Sequence, residues 1–223
     1  NAKRTYVGPE AAIRADALES GDGGKVIAWA DEINRFFGTV SARGGTQGGD
    51  GGFAEISGKD SLAFKGNLDL QSPVGAGGNV LFDPKNVIIA IGGGGTIASA
   101  DTFADGAGAG DVTISPATLV SALVGAATIT LQANNDITVN NDVVSAANAT
   151  AGHLTLQAGR SIALAAGVSI NLKGNFTATA ADSNADGVND DNGTAVFSMG
   201  LGSSIITSAA NNNISITMST GPT

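Results

Sequence analysis

The sequence contains no cysteine. No disulfide can staple it, so stability has to come from buried surface alone. Large rings are scarce too: one Trp, one Tyr and eight Phe in 223 residues. That excludes a core built from rings and calls for many small aliphatic side chains in a regular array. The single His, His153, cannot form a metal cluster alone. Charged residues make up only 14%, and the formal net charge is −9. This balance argues against nucleic acid, whose binding needs Lys and Arg to neutralise phosphates. It leaves divalent cations open as partners. No apolar run approaches the ~18 residues that a membrane-spanning helix requires. No signal peptide is visible, and residue 1 reads as opening within a repeat, so a mature or internal fragment is expected.

What the chain has is glycine, 33 residues of it, beside a hydrophobic fraction of 42%. A disordered Gly-rich chain would not carry so many apolar residues in short ordered runs. Collagen would show Gly with a period of three, which is absent. The apolar runs recur instead at long, nearly constant intervals. Ile13, Val40 and Leu68 occupy similar runs, at intervals of 27 and then 28. Each run leads to a glycine pair: Gly23-Gly24, Gly51-Gly52, Gly77-Gly78. A strand-like run follows each pair, and Val26, Phe53 and Val80 align there at intervals of 27. Further on, Thr130-Leu131-Gln132-Ala133 returns as Thr155-Leu156-Gln157-Ala158, at an interval of 25. Ile137-Thr138-Val139 returns as Ile162-Ala163-Leu164 at the same interval. Phe176-Thr177-Ala178-Thr179 and Ile214-Ser215-Ile216-Thr217 read as the same strand in later repeats.

Within each repeat the runs alternate apolar and small polar residues, so one face turns inward and one outward. Gly, Asn, Asp and Ser between the runs suit tight turns. About three short strands per repeat describe one coil of a solenoid. The predicted fold is therefore all-β: a right-handed parallel β-helix of about eight coils, roughly 40 Å long at ~4.8 Å per coil. Two inward columns are expected, Ile13–Val40–Leu68 and Val26–Phe53–Val80. The segment 1–91 is expected to wind in coils of about 27 to about 28 residues, and 127–223 in coils of about 25. Between them, 92–126 is an irregular joint with Gly92 to Gly95 and one short edge helix near 115–124. Ser115 is its N-cap, Pro116 its first residue, and Leu119 and Leu123 its inward face.

Several segments resemble the filamentous-haemagglutinin-type exoproteins. They are residues 21–31, 37–45 and 49–58, with their Asp22-Gly23-Gly24 and Asp50-Gly51-Gly52 steps. They also include residues 81–87, with Phe82-Asp83-Pro84-Lys85-Asn86, residues 114–119 and residues 132–137. The resemblance covers most of the chain in the family's order. It implies a secreted bacterial passenger protein, exported by an outer-membrane transporter in two-partner secretion. It implies a right-handed parallel β-helix at the cell surface with roles in adhesion, biofilm or filament formation. The family's N-terminal secretion domain is not recognisable here.

Residues 182–193 form an Asp/Asn-rich loop. Asp182, Asn184, Asp186 and Asp190 stand at positions 1, 3, 5 and 9 of a calcium-loop pattern, with the Val188 carbonyl at position 7. Gly193 stands at position 12, where the pattern needs a bidentate Glu. The alternative reading is a turn-rich bulge without a metal, since Asn and Asp favour turns. No cofactor is required by either reading. Trp29 lies between Ala28 and Ala30 and reads as a residue stacked between coils rather than an exposed ring for glycans. Asp60, Asp69 and Asp83 would be the acidic cluster of a polysaccharide-cleaving β-helix enzyme, but they do not align in the repeat, and no basic partner recurs beside them. The glycine pairs lead into strands, not helices, and so are corners and not phosphate loops. The expected partners are glycans or proteins of neighbouring surfaces, and copies stacked end to end. A non-enzymatic adhesive rod is the expectation.

Overall fold

The computed structural model describes residues 2–58, 61–91, 111–125, 128–145, 152–183, 193–208 and 212–220. Their regular structure is nearly all strand, with one helix. Strands are numbered here in chain order. The strands fall on three faces, and every pairing between them is parallel, joining strands of successive repeats except at β10 and β11.

The first face is a seven-stranded sheet: β3 (Lys25–Ala30), β6 (Phe53–Gly58), β9 (Asn79–Phe82), β12 (Thr128–Ala133), β15 (His153–Ala158), β18 (Phe176–Ala180) and β21 (Ile214–Met218). Its alternating sequence buries every second residue, as strands with one face on a core must. One inward column runs Val26–Ala54–Val80–Ile129–Leu154–Phe176–Ile214. The expected recurrences of Thr130 at Thr155 and of Phe176 at Ile214 are both in register.

The expected column Val26–Phe53–Val80 needs correction. Val26 pairs with Ala54, and Phe53 pairs with Lys25. The glycine pairs set this register. Gly24, Gly52 and Gly78 each donate the same bond, to the carbonyls of Ala15, Ala42 and Leu70. Gly24 to Gly52 is an interval of 28 and Gly52 to Gly78 one of 26, a difference that a mean of 27 hides. A slip of one residue reverses the face, so Phe53 points outward, with the Lys25 ammonium 5.1 Å from its ring centre. The corner demands glycine. A Cβ on Gly52 would lie 2.1 Å from the Gly24 carbonyl oxygen, and one on Gly78 would lie 2.0 Å from that of Gly52.

The second face consists of two ladders. One holds β1 (Arg4–Val7), β4 (Ile33–Phe36) and β7 (Ser61–Phe64). The other holds β11 (Asp111–Ile114), β10 (Asn86–Ile89), β13 (Ile137–Val139), β16 (Ile162–Leu164) and β19 (Phe197–Met199), in that spatial order. Strand β11 follows β10 in the chain but precedes it in space, lying beside β7. Ile137 and Ile162 are in register as expected. The third face also has two ladders. One is β2 (Ala12–Arg14), β5 (Thr39–Ser41) and β8 (Asn67–Asp69); the other is β14 (Val143–Val144), β17 (Ser169–Leu172) and β20 (Ser204–Thr207). Val40 is fully buried and pairs with Ile13 on one side and Leu68 on the other, as expected.

The helix α1 (Pro116–Gly125) packs against β8, β14 and β12. It starts where the sequence predicts. The Ser115 hydroxyl accepts the Thr118 backbone N–H at 3.1 Å, and Leu119 and Leu123 are buried. Gly92 to Gly95 lie outside the described residues. One apolar core runs through all three faces and includes Val112, Ile114, Leu119 and Leu123 of the β11–α1 segment. Among the described residues, no helix is long and apolar enough to cross a membrane.

Candidate interaction surfaces

The outward rows of the seven-stranded sheet form the broadest regular surface. Its composition changes along its length. At the β3 end the rows hold Lys25, Ile27 and Trp29, then Phe53 and Glu55, then Leu81. Trp29 is half-buried and shares the outward side with Ile27, while Ala28 and Ala30 point in. Its register neighbour in the next repeat is Ser57, which is buried. From β12 onward the rows turn polar. Thr130, Thr155, Thr177 and Ser215 form one, and Gln132, Gln157, Thr179 and Thr217 another. Gln132 Nε2 donates to Gln157 Oε1 at 2.9 Å. Such amide and hydroxyl rows offer donors and acceptors without net charge. His153, read as a bland turn or surface residue, opens β15, and its Nδ1 accepts the Asn175 N–H at 2.8 Å.

The acidic residues have a role the sequence reading missed. Carboxylates at the edges of one repeat accept backbone N–H groups of the next. Asp22 Oδ1 accepts from Asp50 at 2.8 Å, and Asp50 Oδ1 from Ala76 at 2.8 Å. Asp136 Oδ1 accepts from Ser161 at 3.1 Å, and Asp142 Oδ1 from Ser169 at 2.7 Å. The signal was present: Asp22 and Asp50 precede equivalent glycine pairs. Asp16 accepts from both the Ser41 hydroxyl and the Arg43 N–H. Burial alone would raise its pKa. The Ser41 and Arg43 hydrogen bonds, with the charges of Arg14 and Arg43, outweigh that and hold it below the usual value.

Of the acidic cluster imagined for an enzyme, Asp60 lies outside the described residues. Asp69 has one basic partner, Arg43, whose Nη1 donates to its Oδ2 at 2.6 Å. Its other oxygen accepts the Gln71 N–H at 3.3 Å. Asp83 is on the stretch between β9 and β10, on a different face.

Of the calcium-loop residues, Asn184, Asp186, Val188 and Asp190 lie outside the described residues. Asp182 is buried, and its N–H donates to the Ala158 carbonyl at 2.9 Å. Gly193 backs onto the Arg160 guanidinium, which is itself paired with Asp136. A cation therefore already stands beside that end of the loop. Among the described residues, no group of three or more His, Asp or Glu is placed to hold a metal ion.

An open groove of about 550 Å³ lies where α1 begins, lined by Ile91, Ser115, Pro116, Asn141, Asp142 and Val168 among others. Its polar groups already serve the fold. Asn141 Oδ1 accepts the Ile91 N–H, Asp142 Oδ1 that of Ser169, and the Ser115 hydroxyl caps the helix. At the β21 end, Ile214, Ile216 and Met218 are 44–49% exposed. No protein-family model matches the chain, and no curated protein matches it significantly.

Proposed function

We propose that this chain is a stretch of right-handed parallel β-helix, and that it serves as a stiff structural and adhesive rod in a secreted bacterial surface protein of the filamentous-haemagglutinin type. The observation that supports this most is the parallel, in-register pairing of equivalent residues repeat after repeat, as in Ile13–Val40–Leu68. A chain that returns to parallel strands on three faces, in the same order except at β10 and β11, fits a coil, and parallel crossovers are right-handed in nearly all proteins. Each well-buried aliphatic side chain contributes about 1.5–3 kcal/mol, so a long stack can hold without disulfides. The adhesive surface would be the outer side of the seven-stranded sheet, with Trp29 and Phe53 at one end and the Thr and Gln rows at the other. Its partners would be glycans or proteins of neighbouring cells or matrix. Export would use an outer-membrane transporter, and the place of action would be the cell surface or a biofilm.

Two measurements test this. Small-angle scattering of the purified chain should give an elongated particle; a compact sphere would end the β-helix reading. Immobilised chain should bind matrix glycans or proteins saturably. Binding no stronger than that of an unrelated β-rich protein would end the adhesive reading.

A second reading has the chain stack end to end. The exposed side chains of β21 favour it, because an unpaired strand edge with apolar neighbours invites another strand. Electron microscopy showing only single short rods would exclude it.

A further inference from the structure

We infer that the stack yields at one level, between β7 and β8 on one side and β11 and α1 on the other, with the β9–β12 pair as its hinge. This rests on the β-helix reading. The seven-stranded sheet crosses the level unbroken: β9 pairs with β6 and with β12. Among the described residues, the second face does not cross it by pairing. Strand β7 ends one ladder and β11 begins another, and the two lie side by side without a ladder between them. The third face is interrupted as well, because α1 sits between β8 and β14. A helix satisfies its backbone internally and cannot extend a strand ladder.

What bridges the two interrupted faces is mainly apolar packing. Ile114, Leu119 and Leu123 are buried there. Such contacts are non-directional, whereas ladder bonds are strict in distance and angle. A polar link spans the third face: Gln71 Nε2 donates to the Val124 carbonyl at 3.1 Å. Pulling along the stack loads inter-strand hydrogen bonds directly. At this level one sheet carries that load in ladder form, whereas at the next level, between α1 and β14, two faces share it and at the levels of β1–β9 and β13–β20 all three do. The pair that carries it is also stretched at its start, with Thr128 N–H to the Gly78 carbonyl at 3.4 Å. The level opens first, as the least cooperative unit of the chain. A surface rod would gain one compliant point, bending or lengthening under shear while both halves stay folded.

Hydrogen exchange on the full chain tests this, with Gln71→Ala and, as control, Gln132→Ala, whose bond to Gln157 lies within the unbroken seven-stranded sheet. Amides of β7, β11 and α1 should exchange about tenfold or more faster than those of β12 and β15. Gln71→Ala should accelerate them further, and Gln132→Ala should not. Equal protection across the level would overturn the hinge and leave the β-helix standing. Protection that follows none of the three faces would overturn the β-helix itself. Stretching single molecules by their termini gives a readout that needs no variant. A first step releasing only part of the chain is expected; one all-or-none rupture refutes the proposal.

Discussion

Asp16 Oδ1 accepts the backbone N–H of Arg43, in the following repeat, at 2.9 Å. The same oxygen accepts the Ser41 hydroxyl at 2.5 Å. One short acidic side chain thereby ties two repeats together at an edge where the strand ladder has ended. Asp22, Asp50, Asp136 and Asp142 do the same at other corners. An ionised carboxylate accepts such bonds more strongly than a neutral group does. Part of the acidic excess is therefore structural, and it supports the fold without needing a cation.

Acid should loosen the N-terminal repeats. The folded pKa of Asp16 lies below its ordinary value of 3.8, so the folded state binds fewer protons than the unfolded one in this range. Its contribution is present in full above that value and is lost as pH falls through the lower folded value. Thermal melts from pH 6 downward should show a smaller acid-induced loss in Asp16→Asn than in the wild type. Identical acid limbs would count against the carboxylate clip.

The corrected register separates two adjacent residues. Ala54 is fully buried in the inward column, and Phe53 faces out. Ala54→Asp should unfold the repeat or cost several kcal/mol, since it buries an unpaired charge. Phe53→Ser should cost about 1 kcal/mol or less, as surface substitutions do. Denaturant titration checks both. The reverse order of severity would restore the column Val26–Phe53–Val80.

Gly52 and Gly48 should respond oppositely to alanine. The added Cβ of Gly52→Ala meets a carbonyl oxygen at 2.1 Å, whereas nothing lies within 4 Å of that of Gly48→Ala. The first should lower the melting temperature strongly. The second should leave it unchanged or raise it, because replacing Gly lowers the entropy of the unfolded chain, an effect of about 0.4–1 kcal/mol.

Calcium removal should matter little. The loop pattern has Gly193 in place of its bidentate ligand, and Arg160 stands beside that residue. A ligand held by the folded state alone would raise stability by about 2.7 kcal/mol at about a hundred times its Kd. Melting with EDTA and with millimolar calcium should coincide. A clear upward shift with calcium, lost in Asp186→Ala, would favour the metal reading of Asp182, Asn184, Asp186, Val188 and Asp190.

Much of this was legible in the residues themselves. Alternation and recurrence place the strands, and the returns of Thr130 at Thr155 and of Ile137 at Ile162 are in register. Ser115 and Pro116 announce the helix because capping is a local matter of one hydroxyl and one fixed φ. The candidate surface was less legible. The outward rows follow from alternation, but the bonds made by Asp22 and Asp50 join residues that only stacking brings together.

The sequence alone thus determined where the strands of the seven-stranded sheet lie and, by alternation, which residues of a strand share a face, since these depend on neighbours a few residues apart. Tertiary structure decided which strand lies beside which. Nothing local tells β11 to settle between β7 and β10, out of chain order, or α1 to fill the level between β8 and β14. Those choices are made by packing across the core, between residues too far apart in the chain for any short pattern to connect. The register at Gly52 was decided in the same way, by a carbonyl 2.1 Å from where a side chain would begin.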